Sequence, residues 1–207
     1  MVAIVAAAPQ VATVFSTVGH GDDQVIAAMA PALSWMAPGL VGLGVMGRHH
    51  LRLLNALDGV DFVGVADPGL PLDSTDVTTF PSLEALIGSG VDYCVVAVPT
   101  ALHEQVGLQL ADAGVHALIE KPLAFEPLAA ERLALAFASR GLVGAVGHVE
   151  RYNPALQSAR TRISNGDLGA VYQVATRRQG PFPARIADVG VVKDLATHDI
   201  DLTSWVV

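Results

Sequence analysis

The stretch LVGLGVMGRHHLR at positions 40–52 constrains this chain more than any other. Two apolar residues, Leu40 and Val41, lead into Gly42, Leu43, Gly44, Val45, Met46 and Gly47, and a helical pattern follows at once. This is the G-x-G-x-x-G spacing of a dinucleotide-binding turn. Gly42 lets a strand reverse sharply, Gly44 lets backbone N–H groups approach a pyrophosphate, and Gly47 lets the helix pack closely on the strand, its N-terminus facing the anion. In a chain with 20 glycines the hexapeptide alone specifies little. Its context specifies more. Gly47, Leu51 and Leu54 share a helical face, and an apolar strand at 62–66 runs into Asp67. A carboxylate about 20 residues beyond the turn suits the two hydroxyls of an adenosine ribose.

From Leu40 on, strand and helix patterns alternate. This predicts an α/β fold, a Rossmann-like doubly wound parallel sheet. Ser82 caps a short helix at 83–87. The apolar run 91–98 reads as a strand covered on both faces. Pro99 ends it, Thr100 caps the next helix, and Gly114 closes that helix. A strand at 115–119 ends in Glu120, Lys121 and Pro122, and a helix at 127–139 and a strand at 142–147 complete this domain. Asn153 and Pro154 then open a helix to 164, a turn follows at 166–169, 171–178 alternates like a half-buried strand, and 193–207 reads as a helix. The expected organisation is an extension at 1–39, a dinucleotide-binding domain at 40–150, and an incomplete α+β substrate or catalytic domain at 151–207. The extension is rich in Ala, Val and Pro. Pro38 and Gly39 fall where a first strand would gather apolar residues, and a proline removes a ladder donor there, so 1–39 reads either as an N-terminal extension or as a segment foreign to the fold, and in both cases as dispensable.

Composition narrows the function. Hydrophobic residues make up 52% and charged residues 15%, ample for a core. A formal net charge of −8 argues against a general nucleic-acid or membrane-surface binder. The single Cys94 lies in a buried strand and reads as a core thiol in a reducing, cytoplasmic setting. The apolar N-terminus has no basic region and is broken by Pro9, unlike a signal peptide. Prolines interrupt the best candidate for a membrane span. No Cys/His cluster points to a metal, and no G-x-S-x-G nucleophile turn is present.

Three residues could carry proton and hydride chemistry. Lys121 follows the strand that ends in Glu120, while Asp194 and His198 are spaced i, i+4. A histidine titrating near neutrality can take a hydroxyl proton while hydride leaves the same carbon for a nicotinamide. A carboxylate beside it orients the ring, and a lysine stabilises developing negative charge. By spacing alone, such an Asp–His pair is more often a solvated helix face. His49 and His50 read as surface residues, His103 as structural, and His116 and His20 have no partner in sequence.

The segments VGLGVMGRHH, AVPTALH, IEKPLA and DLATHDIDL, with the strand ending in Asp67, resemble the Gfo/Idh/MocA oxidoreductase family over 40–207. The resemblance implies NAD as cofactor and Lys121, Asp194 and His198 as the active site. It places Gly42, Gly44, Val45, Met46, Gly47, Asp67, Pro99, Thr100, His103, Glu120 and Lys121 at the cofactor. Tyr152, Asn153, Arg177 and Arg185 join Lys121 and His198 at a small-molecule substrate, the arginines suiting a pyrophosphate. GHVERYNPA and GPFPARIADVGVVKDLATHDIDL look most like the members that oxidise the 3-hydroxyl of a UDP-N-acetylhexosamine. The alternatives are a dehydrogenase of a free polyol or sugar such as inositol, and an NAD-binding module without turnover. Two departures from the family stand out. A loop at 68–80 replaces the helix after the second strand, and only part of the second domain is present. This implies a chain truncated after Val207, with 171–178 left as an open edge, and a homo-oligomer when full length.

Overall fold

The computed structural model describes residues 36–57, 59–69, 77–177, 190 and 192–207, with Lys193 and Asp194 described in backbone only. The expectations for residues 1–35, for Arg185, for the last residue of the 171–178 segment and for the middle of the 68–80 loop lie outside them. The described chain forms two compact units, one through Gly147 and one from His148 on.

The first unit is a six-stranded sheet in the order β3-β2-β1-β4-β5-β6, parallel throughout. Its strands are β1 (Pro38–Val41), β2 (Gly64–Ala66), β3 (Thr79–Phe80), β4 (Tyr93–Val96), β5 (His116–Ile119) and β6 (Gly144–Val146). Helices α1 (Val45–Ala56), α2 (Leu83–Gly88), α3 (His103–Asp112) and α4 (Pro127–Ser139) make the crossovers. This is the doubly wound order expected from the sequence, and its switch point lies between β1 and β4.

Alternation along the strands divides the interior into two cores. Val41, Ala66, Cys94, Val96, Ala117 and Ile119 face one side with Leu86, Leu110, Leu133 and Phe137 from the helices. Leu40, Val65, Tyr93, Val95 and Leu118 face the other with Leu53 and Leu54 of α1. Period two puts neighbouring residues on opposite faces, so strands covered on both sides read as continuous apolar runs. Cys94 is buried in the first core, and burial pushes its thiol up to about 12.

One boundary moves. Pro38 and Gly39 belong to the central strand β1, and its four residues are all buried. The proline is tolerated because it opens the strand, where a missing N–H costs least, while its carbonyl still accepts from Val63 N–H at 2.9 Å. A Cβ on Gly39 would come within 3.0–3.1 Å of Leu86, Val91 and Cys94, so the absence of a side chain there serves packing. Thr100 also differs from expectation. It lies inside a 3₁₀ turn, Thr100–Leu102, that precedes α3, and neither the turn nor α3 has a side-chain cap. Ser82 does cap α2, accepting from Ala85 N–H at 3.2 Å.

In the second unit, a 3₁₀ turn (Val149–Tyr152) leads into α5 (Pro154–Ser164), and a π-helical turn (Val192–Ala196) runs into α6 (Thr197–Val206). The expected single helix at 193–207 therefore changes pitch at Thr197. Residues 171–177 form no strand and are exposed throughout. Alternation encodes a strand only where a neighbour completes the hydrogen-bond ladder, and no described segment pairs with them. No described helix is long and apolar enough to cross a membrane.

Candidate functional site

Every candidate of the first unit lies at a carboxyl end of the sheet. β1 delivers the glycine turn, β2 Asp67, β4 Pro99 and Thr100, and β5 Glu120 and Lys121. That is the edge at which open α/β sheets bind ligands. Gly42 adopts φ +91°, a left-handed conformation that glycine takes without a Cβ penalty. A Cβ on Gly47 would stand 2.0 Å from the Gly42 carbonyl oxygen, so α1 approaches the turn as closely as backbone allows.

The turn fits a dinucleotide pyrophosphate. Gly44 is the N-cap of α1 and gives no side-chain cap, no acidic residue stands in the first turn, and a Cβ on Gly44 would meet nothing within 4 Å. The first turn of α1 is therefore uncapped by any side chain, with the positive end of the helix dipole at the turn. Val45 and Met46 are exposed there. Asp67 is half-buried, and its carboxylate already accepts from two main-chain donors, Leu43 N–H at 2.7 Å and Gly69 N–H at 2.8 Å. Each oxygen keeps lone pairs for further donors, such as ribose hydroxyls.

Two buried histidines organise the neighbouring loops. His103 is 1% exposed, and its Nδ1 and Nε2 each lie 3.0 Å from a carbonyl oxygen, of Pro122 and of Val98. It stitches the loop after β4 to the loop after β5 and has no ring nitrogen left for a cofactor. His50, expected at the surface, is buried, with Nε2 2.7 Å from Glu120 Oε1. Glu120 is also buried, and its Oε2 accepts from Lys121 N–H at 3.1 Å. Sequence reading passed over His50, although it stands three residues after Gly47 and four before Leu54, on the buried stripe of α1. His49 is exposed.

In the second unit, Asn153 caps α5, its side-chain oxygen accepting from Ala155 N–H at 3.0 Å. Tyr152 is half-buried, and burial raises its phenol. His198 opens the stripe of α6 that continues with Asp201 and Leu202, at i+3 and i+4. Arg151 grips Asp201 with two guanidinium nitrogens, Nε donating to Oδ2 at 2.8 Å, and His148 Nδ1 is 3.5 Å from the same Oδ2. The Arg160 guanidinium lies 4.5 Å over the Trp205 ring, a cation–π contact between α5 and α6. Arg177 is exposed.

Comparison with known proteins agrees with this geometry. The pattern of the oxidoreductase family with an NAD-binding Rossmann fold, GFO_IDH_MocA, matches residues 36–148. The UDP-N-acetylglucosamine 3-dehydrogenase of Acidithiobacillus ferrooxidans is 34% identical over 173 residues, 81% of this chain and 53% of that protein. Its solved structure superposes with a TM-score of 0.73 over 83% of this chain and 56% of that one, at 33% identity. The scyllo-inositol 2-dehydrogenase (NAD(+)) of Bacillus subtilis is 27% identical over 183 residues, 80% of this chain and 52% of that protein. The WlbA dehydrogenase of Bordetella pertussis, solved with NADH and UDP-GlcNAcA, is 29% identical with a TM-score of 0.72, covering 83% of this chain and 55% of that one. The chain spans about half the length of the curated relatives it matches. The match spans the unit that carries the glycine turn, Asp67 and the doubly wound sheet, more than half of the chain, and the chain belongs to the Gfo/Idh/MocA oxidoreductase family, with its NAD-binding Rossmann domain at residues 36–148.

Proposed function

We propose that the protein works in NAD-dependent oxidation of a secondary hydroxyl on a sugar, with C3 of a UDP-N-acetylhexosamine as the preferred position. The observation that carries this reading is the end of β5. There a buried carboxylate fixes the main chain of Lys121 on the ligand-binding edge of a sheet whose glycine turn fits a dinucleotide. NAD, when bound, supplies the hydride acceptor. Lys121 donates to the substrate oxygen and stabilises the negative charge that grows there. His198 takes the hydroxyl proton, and Asp194 orients its imidazole. Tyr152, Asn153, Arg177 and Arg185 contact the substrate.

The preference for a nucleotide sugar rests on the greater likeness to the Acidithiobacillus enzyme. A second reading, a free polyol of the inositol type, is favoured by the Bacillus relative at similar coverage. The deciding experiment follows NADH formation with UDP-N-acetylglucosamine and with scyllo- and myo-inositol in parallel. Faster turnover of the UDP-sugar supports the first reading, turnover of inositol alone replaces it with the second, and NAD binding without either reduction refutes both.

The cofactor preference is testable at Asp67. A carboxylate facing the ribose repels a 2′-phosphate, so the protein is expected to bind NAD more tightly than NADP. Asp67→Ala removes charge-assisted acceptors and is expected to weaken NAD about tenfold or more while narrowing the gap to NADP. Titration by NADH and NADPH fluorescence measures both. Tighter NADPH binding in the unmutated protein would refute the assignment.

A further inference from the structure

We propose that His50 is a positioning residue that ties the Lys121 loop to the dinucleotide helix, so that occupancy of the glycine turn is felt at Lys121. This rests on the reading of Lys121 as an active-site residue.

The connection runs through three consecutive contacts inside one unit. α1 begins at Val45, directly behind the turn, and His50 stands in its second turn. Its Nε2 meets Glu120 Oε1 at 2.7 Å, and the other carboxylate oxygen, Oε2, accepts from Lys121 N–H. The two side chains are each 8% exposed, so the pair is screened from water. The rest of the cradle holds Glu120 in one place. Its own N–H donates to the Val96 carbonyl at 3.0 Å, and a Cβ on Gly147 would press within 3.2–3.3 Å of its carboxyl group. His50 Nδ1 takes no hydrogen bond among the described residues. The ring thus makes a single directed contact, the one to Glu120, despite its burial.

A buried pair of this kind is a weak device for stability, because apolar side chains of similar volume fill such a space as well or better. It is a strong device for geometry. An α-helix is stiff over two turns. A ligand that settles α1 at its first amides therefore settles the imidazole, and through the carboxylate the main chain that carries Lys121. Small misplacements of a catalytic group cost rate far more than they cost binding.

Hydrogen–deuterium exchange of the peptide spanning residues 117–125, with and without NAD, tests this directly. In the unmutated protein NAD is expected to slow exchange of that peptide. In His50→Leu the slowing is expected to disappear while NADH affinity stays within about threefold and kcat falls about tenfold or more. His50→Gln, whose amide can donate to Glu120, is expected to restore both the protection and kcat. His50→Leu leaves a buried carboxylate unpaired and can fail to fold. The double variant His50→Leu/Glu120→Leu therefore serves as the apolar control, expected to fold and, at an NAD concentration that saturates it, to lack the protection. Equal protection in the unmutated protein and in the double variant would overturn the proposal, as would a His50→Gln variant no better than His50→Leu. Absence of turnover in the unmutated protein would overturn the oxidoreductase reading and leave the exchange result standing.

Discussion

Gly47→Ala is expected to unfold the first unit or to destabilise it by about 3 kcal/mol or more, and to abolish NAD binding with it. The Cβ would stand 2.0 Å from the Gly42 carbonyl oxygen. The obstacle is backbone, so no rotamer change relieves it, and α1 must move off the turn. Forced repacking of this kind costs about 1–3 kcal/mol even where side chains can give way. Gly44→Ala makes the opposite case. A Cβ there meets nothing within 4 Å, and the residue has φ −66°, which alanine adopts freely. Its melting temperature is expected to match that of the unmutated protein, while NAD affinity falls because the new methyl stands in the path of the pyrophosphate. Thermal unfolding and NADH fluorescence titration of both variants measure the split. A stable Gly47→Ala, or a Gly44→Ala that binds NADH normally, would show that the turn does not work as described.

Lys121→Ala and His198→Ala are each expected to lower kcat by about 10²–10⁴-fold, the usual contribution of a positioned acid or base. NADH affinity is expected to change little, because neither residue belongs to the glycine turn or to the Asp67 acceptor. Steady-state kinetics with the best substrate, alongside NADH titration, separates these quantities. A loss below tenfold in either variant would remove that residue from the chemistry. His103→Ala is a useful contrast. It deletes two buried contacts to main-chain carbonyls, so its loss is expected in melting temperature first.

What the sequence disclosed, it disclosed through local rules. α4 spans 127–139 as the pattern says, because Pro127 can start a helix at N1 and Leu133 and Phe137 recur at i, i+4 toward the core. Ser82 and Asn153 cap where short acceptors before helical runs should cap. What it withheld depends on partners far along the chain. His50 is buried and yet meets a carboxylate, because Glu120, 70 residues on, stands opposite. Segment 171–178 carried a strand's alternation, but its described residues 171–177 meet no described strand to complete a ladder. Pro38 looked like a breaker and proved harmless, since strand position rather than residue type decides whether a donor is missed.

The Arg151–Asp201 grip has a consequence for how the second unit tolerates change. The two residues are 50 positions apart, so the pair closes a long loop of chain. The entropy of such closure grows only with the logarithm of length, and doubling the enclosed chain costs about 0.6 kcal/mol. Insertions into the described turn at 166–169, inside the span so closed, therefore cost little closure entropy, provided both ends of the grip survive. Variation among descendants of this chain can accumulate in length there, while Arg151 and Asp201 stay fixed in kind.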